Sequence, residues 1–241
     1  MGTGAEVVPP SAAASTGEAA ESAQFSNIIS DLALMDSLGI RLVLVHGARS
    51  QINRIFTKEQ VSSKLHNTCR ITPQEQLLPI IQASAGVRVQ IEAQLSMALA
   101  NTPMAGTRLK ICSGNHVIAR PLGVVDGIDF GHSGEVRRID AEAINKLLND
   151  DNMVQLSHLG YSPTREVFNL KGEEVATQAA IQLKADKLIM LNAEEGIFSD
   201  KGELVSEFLA KDAERLLDKL PSTSESKLSL QACIQAVRNS V

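Results

Sequence analysis

The chain has 241 residues, of which 44% are hydrophobic, and a formal net charge of -5, so it can bury a substantial core as one large α/β domain. The acidic balance and the lack of a long Lys/Arg run exclude the basic surface that nucleic acid binding needs, and no apolar run reaches the roughly 18 residues typical of a membrane helix. The three cysteines are widely spaced, which fits neither a disulfide framework nor a metal-binding Cys pair and indicates thiols in a reducing compartment.

The first segment, residues 1–24, consists mostly of small and polar residues with no Lys or Arg. It has neither helical nor strand periodicity, which predicts a disordered leader. It also lacks the basic start and apolar centre of a secretory signal and the Arg-rich composition of an organelle transit peptide.

The ordered sequence is predicted to begin at Phe25 with an amphipathic helix that Gly39 ends. A short apolar strand over residues 40–45 follows, of the kind that is buried on both faces in a parallel sheet. Helices are predicted from Ser50 and over residues 73–100. The alternation in residues 108–120 indicates a hairpin or two short strands.

In the second half of the chain, helices and strands continue to alternate. A helix over residues 141–148 and a strand over residues 153–157 precede the segment "EVFNL" and a helix over residues 173–185. The segment "KLIML" (187–191) predicts a strand, and "GIFSDKGELV" predicts a hairpin. Two further helices are predicted at 210–219 and 228–239. This order predicts a three-layer αβα sandwich with a mostly parallel sheet.

The turn at His46-Gly47-Ala48-Arg49 joins the first strand to the next helix. Backbone N–H groups at such a turn, with the helix N-terminus, could hold an anion, and the Arg49 guanidinium would add charge. Alternatively, Gly47 only permits a tight turn. Neither of the standard nucleotide-binding glycine loops occurs in the sequence.

Two further polar residues have alternative interpretations. Arg70 could bind a carboxylate through two hydrogen bonds, or it could be a surface charge. Asn169 could cap the helix that follows while also facing the crevice at the strand ends, or it could be a plain helix cap. Glu173 and Glu174 suit a helix start without any catalytic role. The five histidines have no metal-ligand spacing, so we predict no metal site.

Five blocks in order carry a resemblance to a known family: "DLALMDSLGIRLVLVHGARSQI", "RIT", "VVDGIDFGHSGEVRRID", "NLKGEEVATQAAIQLKADKLIML" and "GIFSDKGELVSE". From Phe25 to the C-terminus the chain resembles the amino-acid kinase domain of bacterial and plant-type N-acetylglutamate synthases. The resemblance implies the amino-acid kinase fold and a role in arginine biosynthesis, where the family makes N-acetylglutamate from acetyl-CoA and glutamate. The related acetylglutamate kinases phosphorylate that product.

The chain departs from the kinases at several motif positions. Their first strand, with its Lys and glycine-rich loop, has no counterpart here, so the sheet is expected to lack that strand. Their His-Gly-Gly-Gly is replaced by His46-Gly47-Ala48-Arg49, their helix-start Asp by Glu173, and their late catalytic Lys has no clear equivalent, although Lys227 is near. Because phosphoryl transfer depends on positioning and charge neutralisation, the resemblance implies that kinase activity has been lost.

The resemblance therefore implies an amino-acid kinase-like regulatory domain over residues 25–241, truncated at both ends relative to the family and without the GNAT acetyltransferase domain. It implies a remnant anion turn at Gly47, Ala48 and Arg49, a carboxylate clamp at Arg70 and a polar ligand contact at Asn169. No catalytic residue is predicted.

The implied ligands are glutamate, N-acetylglutamate or arginine. The chain itself needs no cofactor, and acetyl-CoA is the cosubstrate of the full-length family. The implied partners are an acetyltransferase domain or further copies of the chain, in the cytoplasm or the plastid stroma. The alternatives are an acetylglutamate kinase-like enzyme and a non-catalytic amino-acid-binding module.

Overall fold

A computed structural model describes residues 17–66, 68–98, 109–191, 196–198, 204–217, 220 and 225–241. The helices of these residues are α1 (Gly17–Ser37), α2 (Arg49–Lys58), α3 (Gln74–Met97), α4 (Ala141–Asn149), α5 (Gly172–Leu183), α6 (Ala210–Leu217) and α7 (Glu225–Arg238). The strands are β1 (Val43–His46), β2 (Lys64–His66), β3 (Cys69–Ile71), β4 (Ile111–Ser113), β5 (Val117–Pro121), β6 (Val124–Val125), β7 (Ile128–Asp129), β8 (Gly134–Ile139), β9 (Met153–Ser157), β10 (Leu159–Tyr161) and β11 (Val167–Asn169).

The first helix corrects the predicted leader. It begins at Gly17 and not at Phe25, so residues 17–24 are helical, while residues 1–16 lie outside the described residues. The segment "GEAAESAQ" is rich in Ala and Glu, which favour helix, but it has no apolar stripe. Periodicity alone therefore placed the helix start too late.

The centre of the fold is a parallel three-stranded sheet in the order β1-β9-β4. Val43 lies opposite Val154, and Ile111 opposite Met153. All four residues of β1 are buried, as expected for an apolar strand covered on both faces. Within the segment predicted to form a hairpin or two short strands, residues 109–120 contain β4 and most of β5, which do not pair with each other.

A second sheet continues the first, because β9 leads through a bend at His158 into β10 while β4 leads into β5. Its order is β11-β10-β5-β8. β10 pairs with β5 in parallel, and the other two pairs are antiparallel. The prediction of a mostly parallel sheet thus holds for the central sheet but not for this extension, where the chain returns directly from β10 to β11.

Helices cover both faces of the sheet, as predicted for an αβα sandwich. On one face, α1, α2 and α3 pack on Leu42, Leu44 and Met153. On the other face, α4 and α5 pack on Val43, Val45 and Val154. Residues of β1 therefore alternate between the two faces, as successive side chains of a strand do. A smaller third cluster joins α6 to α7.

The region after α5 differs from its prediction. Residues 187–191 were predicted to be a strand, but they form no strand in the structure, and they pair with no strand among the described residues. A strand needs a neighbouring strand for its backbone groups, although Leu188 and Met190 still pack on the second cluster. Phe198 and Leu204 form an antiparallel bridge, in agreement with the predicted hairpin, whose tip lies outside the described residues.

Candidate functional site

The carboxyl ends of β1 and β11 meet at one place. β1 and β11 lie on the same edge of the continuous β9–β10 strand, and β1 runs parallel to it whereas β11 runs antiparallel. Two helices therefore begin side by side, α2 at Arg49 and α5 at Gly172. A Cβ atom on Gly172 would lie 3.9 Å from the Cα atom of Gly47. We define the crevice mouth as Gly47–Arg49 together with Gly172–Glu173.

The crevice mouth concentrates charge. Two helix N-termini place partial positive charge there, and neither Ala48 nor Lys171, the N-cap residues, makes a side-chain capping bond. Arg49 Nη2 lies 3.8 Å from Glu173 Oε1, with the side chains 41% and 18% exposed. An anion-binding role for this turn stays a prediction, and Glu173 already provides a carboxylate for its arginine.

Behind the mouth lies a buried polar network. Asn169 Nδ2 donates to Thr72 Oγ1 over 3.0 Å, and Ser133 Oγ donates to the same Thr72 atom over 2.9 Å. Ser133 Oγ also contacts the backbone carbonyl of Arg70. Gly131, which is exposed, borders this layer, because its backbone pairs with Thr72. We define the crevice floor as Thr72, Gly131, Ser133 and Asn169.

The structure excludes a helix-capping role for Asn169, and its role as a ligand contact stays a prediction. The cap interpretation is wrong, because Lys171 is the N-cap residue of α5 and the Asn169 side chain points to Thr72 instead. Asn169 is only 8% exposed, and its backbone N–H donates to His132 over 2.9 Å. The residue therefore ties β11 to the segments around β3 and β8.

Arg70 connects the β2–β3 hairpin to α2. Its guanidinium donates to Asn53 Oδ1 over 2.7 Å, contacts the Ser63 hydroxyl and lies 5.3 Å from the centre of the Phe56 ring. These contacts orient the side chain through hydrogen bonds and cation–π attraction. A carboxylate-binding role for Arg70 stays a prediction, and such a ligand would have to share or replace these partners.

Two buried histidines lie beside the floor and mouth. His46 ends β1, and its Nδ1 lies 3.2 Å from the Gly47 carbonyl oxygen. Burial, with a smaller effect of the Arg88 charge, lowers the pKa of His46 to about 4. Burial and the charges of His46 and Arg70 lower the pKa of His158 to about 3. Both imidazoles are therefore neutral at pH 7 and add no positive charge to the crevice.

The structure brings Gly47, Ala48, Arg49 and Asn169 to one crevice, with the backbone of Arg70 at its floor. Sequence reasoning missed Thr72 and Ser133, because single hydroxyl residues carry no motif. The sequence indicated them only by their position, since Thr72 and Ser133 lie in two of the blocks that resemble the family, within "RIT" and "DFGHSGE". Within the described ranges, no group of three His, Cys, Asp or Glu residues could hold a metal ion, and no helix is long and apolar enough to cross a membrane.

This architecture is shared with known proteins. The model of the amino acid kinase family matches residues 11–241. The chain belongs to the amino acid kinase family. Within this family, the amino-acid acetyltransferase of Vibrio vulnificus (strain CMCP6) is 50% identical over 204 residues, which are 85% of this chain and 46% of that protein.

Superposition on solved structures agrees with this family membership. N-acetylglutamate synthase from Neisseria gonorrhoeae, complexed with coenzyme A and N-acetyl-glutamate, superposes with a TM-score of 0.81 at 30% identity, over 90% of this chain and 48% of that one. The complex with coenzyme A and L-arginine gives 0.79 at 27% identity, over 90% and 50%. The chain thus matches the kinase-like domain of these proteins and spans about half the length of the curated relatives.

Proposed function

We propose that the chain is the amino acid kinase-like part of an N-acetylglutamate synthase of arginine biosynthesis, and that it binds a small acidic or amino-acid ligand without transferring phosphate. Its relatives are amino-acid acetyltransferases, and a related structure contains coenzyme A and N-acetyl-glutamate. Acetyl transfer from acetyl-CoA to glutamate would belong to an acetyltransferase domain acting with this one. We expect the protein to act in the cytoplasm or the plastid stroma.

One observation carries this proposal. At the crevice mouth, two helix N-termini meet in an arrangement suited to a phosphate, but Arg49 and Glu173 face each other across it at 3.8 Å. A nucleotide phosphate entering here would meet the Glu173 carboxylate. A ligand that carries a carboxylate and hydrogen-bonding groups would displace Glu173 from Arg49 and use Arg49, Arg70 and Asn169 without close approach to the backbone.

The binding part of the proposal is tested by thermal melting with glutamate, N-acetylglutamate or arginine. A ligand present at 100 times its Kd stabilises the folded state by about 2.7 kcal/mol, which a melting experiment detects easily. Arg70→Gln and Asn169→Ala should remove the shift. Arg138→Gln is the matched control, because Arg138 is exposed on β8. If none of the three ligands shifts the melting temperature of the wild-type chain, the binding role is wrong.

The catalytic part is tested by two activity assays. With ATP and N-acetylglutamate, the chain should give no turnover, whereas turnover that is lost in Arg70→Gln would favour an acetylglutamate kinase-like enzyme instead. With acetyl-CoA and glutamate, N-acetylglutamate should form only when an acetyltransferase domain is present. If such a domain neither binds the chain nor is affected by it, a non-catalytic amino-acid-binding module becomes the better description.

A further inference from the structure

A cavity of about 270 Å³ opens on the opposite side of the β2–β3 hairpin from the Arg70 guanidinium. It lies between this hairpin, the β6–β7 hairpin and the start of α5. Cys69 lines it, and successive side chains of a strand point to opposite faces, so the neighbouring Arg70 side chain points away towards Asn53. The cavity is therefore separate from the contacts that Arg70 makes with α2.

The charges in this cavity come from α5. Lys171, the N-cap residue, and Glu174, in the first turn, both line it. Lys171 Nζ lies 3.2 Å from the Thr68 hydroxyl, and Glu174 Oε1 accepts a hydrogen bond of 2.8 Å from the Val136 N–H. Neither group has an oppositely charged partner within 4 Å among the described residues, although their spacing of three would allow them to pair on a helix surface.

Partial burial disfavours the charged form of Glu174. Burial raises the pKa of the Glu174 carboxyl, with a smaller effect of the nearby Glu135 charge. Glu135 itself is paired with Arg120 at 2.7 Å, so that arginine is engaged. A cation placed against the second carboxylate oxygen of Glu174 would offset the lost solvation. On the other side, the Lys171 ammonium and the α5 N-terminus both favour a negative group.

The rest of the cavity is largely apolar. Leu122, Val125 and Phe130 form much of its wall, and Phe130 is 4% exposed. A cavity of this kind, with a few placed charges on an apolar wall, is the usual form of a small-molecule site, although its volume is near the lower limit. It suits a ligand with one positive end, one negative end and an uncharged apolar body.

We propose that this cavity binds a free amino acid with an apolar side chain in its zwitterionic form. Its ammonium group contacts Glu174, its carboxylate contacts Lys171, and its side chain packs on Leu122 and Phe130. Glutamate or aspartate binds poorly here, because the added carboxylate would lie near Glu135 and Glu174. An N-acetylated amino acid also binds poorly, because it has no ammonium group for Glu174.

The test is calorimetric titration of the chain with leucine, valine, methionine and phenylalanine, followed by leucinamide and N-acetylleucine. We expect at least one of the four amino acids to bind. Each blocked derivative of leucine should bind at least about tenfold more weakly than leucine, because it loses one charge-assisted contact. Glu174→Gln should weaken leucine binding but not N-acetylleucine binding, while Gln can still accept the Val136 N–H. Lys171→Met should likewise remove the preference for leucine over leucinamide.

Glu142→Gln and Lys146→Met are matched controls, because these two residues are exposed on α4; they should leave every affinity unchanged. Thermal melting confirms that each variant folds. The proposal is overturned if none of the four amino acids binds at millimolar concentration, or if N-acetylleucine binds as well as leucine. This outcome is independent of the proposed function, which depends on N-acetylglutamate, glutamate or arginine and on Arg70 and Asn169.

Discussion

The crevice floor and the crevice mouth differ in the burial of their polar side chains, in hydrogen bonding and in the space around their glycines. At the floor, Thr72 and Ser133 are fully buried, and a methyl group on Gly131 would lie 2.5 Å from the Thr72 carbonyl oxygen. At the mouth, Arg49 is 41% exposed, and a methyl group on Gly47 would meet no atom within 4 Å. The floor therefore fixes the positions of the strands, whereas the mouth can change its side chains and its ligand without disturbing the fold.

The largest predicted effect is that of Gly131→Ala at the floor. Gly131 has a φ of +57°, a conformation that costs a residue with a side chain about 1–2 kcal/mol, and the added methyl would also overlap Thr72. We expect the free energy of unfolding in urea to fall by about 3 kcal/mol or more. Gly172→Ala at the mouth is the control and should change it by less than about 1 kcal/mol. Equal losses in the two variants would contradict the distinction between floor and mouth.

This contrast explains which features could be predicted. The buried strand β1, the helix α4 and the strand β9 followed from apolar patterns, because such patterns reflect burial directly. The prediction of a strand at residues 187–191 was wrong, because a strand also requires a neighbouring strand, which periodicity does not reveal. The contacts of the floor depend on a hydroxyl at Thr72 meeting an amide at Asn169, 97 residues apart, and no local pattern encodes that distance.

The second effect concerns His46 and His158, which lie beside both regions. Their folded-state pKa values of about 4 and about 3 lie below the ordinary 6.5. Below pH 6.5 the unfolded chain thus binds more protons than the folded chain, and stability falls as the pH falls towards those values. We expect a loss of up to about 1.4 kcal/mol per histidine for each pH unit, measured by urea unfolding from pH 7 to pH 4.5.

His158→Gln tests the assignment of this pH dependence. The variant should be less stable at pH 7 but should lose less stability on acidification than the wild-type chain, because one titrating group has been removed. His116→Gln is the control, since His116 is only partly buried, and its profile should follow that of the wild type. A wild-type profile that is flat between pH 6.5 and pH 4.5 would show that the buried imidazoles are not held neutral.

The third effect isolates the hydrogen bonds of the floor. Thr72→Val keeps the shape of the side chain but removes the oxygen that accepts from Asn169 and Ser133. Because the buried Asn169 amide loses its acceptor, whereas Ser133 keeps the Arg70 carbonyl, we expect a loss of about 2 kcal/mol in the free energy of unfolding. In Thr72→Val combined with Asn169→Leu, the second change should cost much less than it does alone. Additive losses would show that the two side chains do not share a bond.

The smallest effect on stability is expected at the mouth, from Arg49→Gln and Glu173→Gln. Their ion pair at 3.8 Å is partly exposed, and such pairs contribute only about 0.2–1 kcal/mol. A double-mutant cycle in urea should give a coupling energy within that range that shrinks as salt screens the charges. The same two variants should differ strongly in ligand response, since Glu173→Gln removes the carboxylate that competes with an acidic ligand, whereas Arg49→Gln removes the cation that attracts it. A coupling of several kcal/mol, independent of salt, would instead make the mouth part of the rigid framework, and the distinction from the floor would fail.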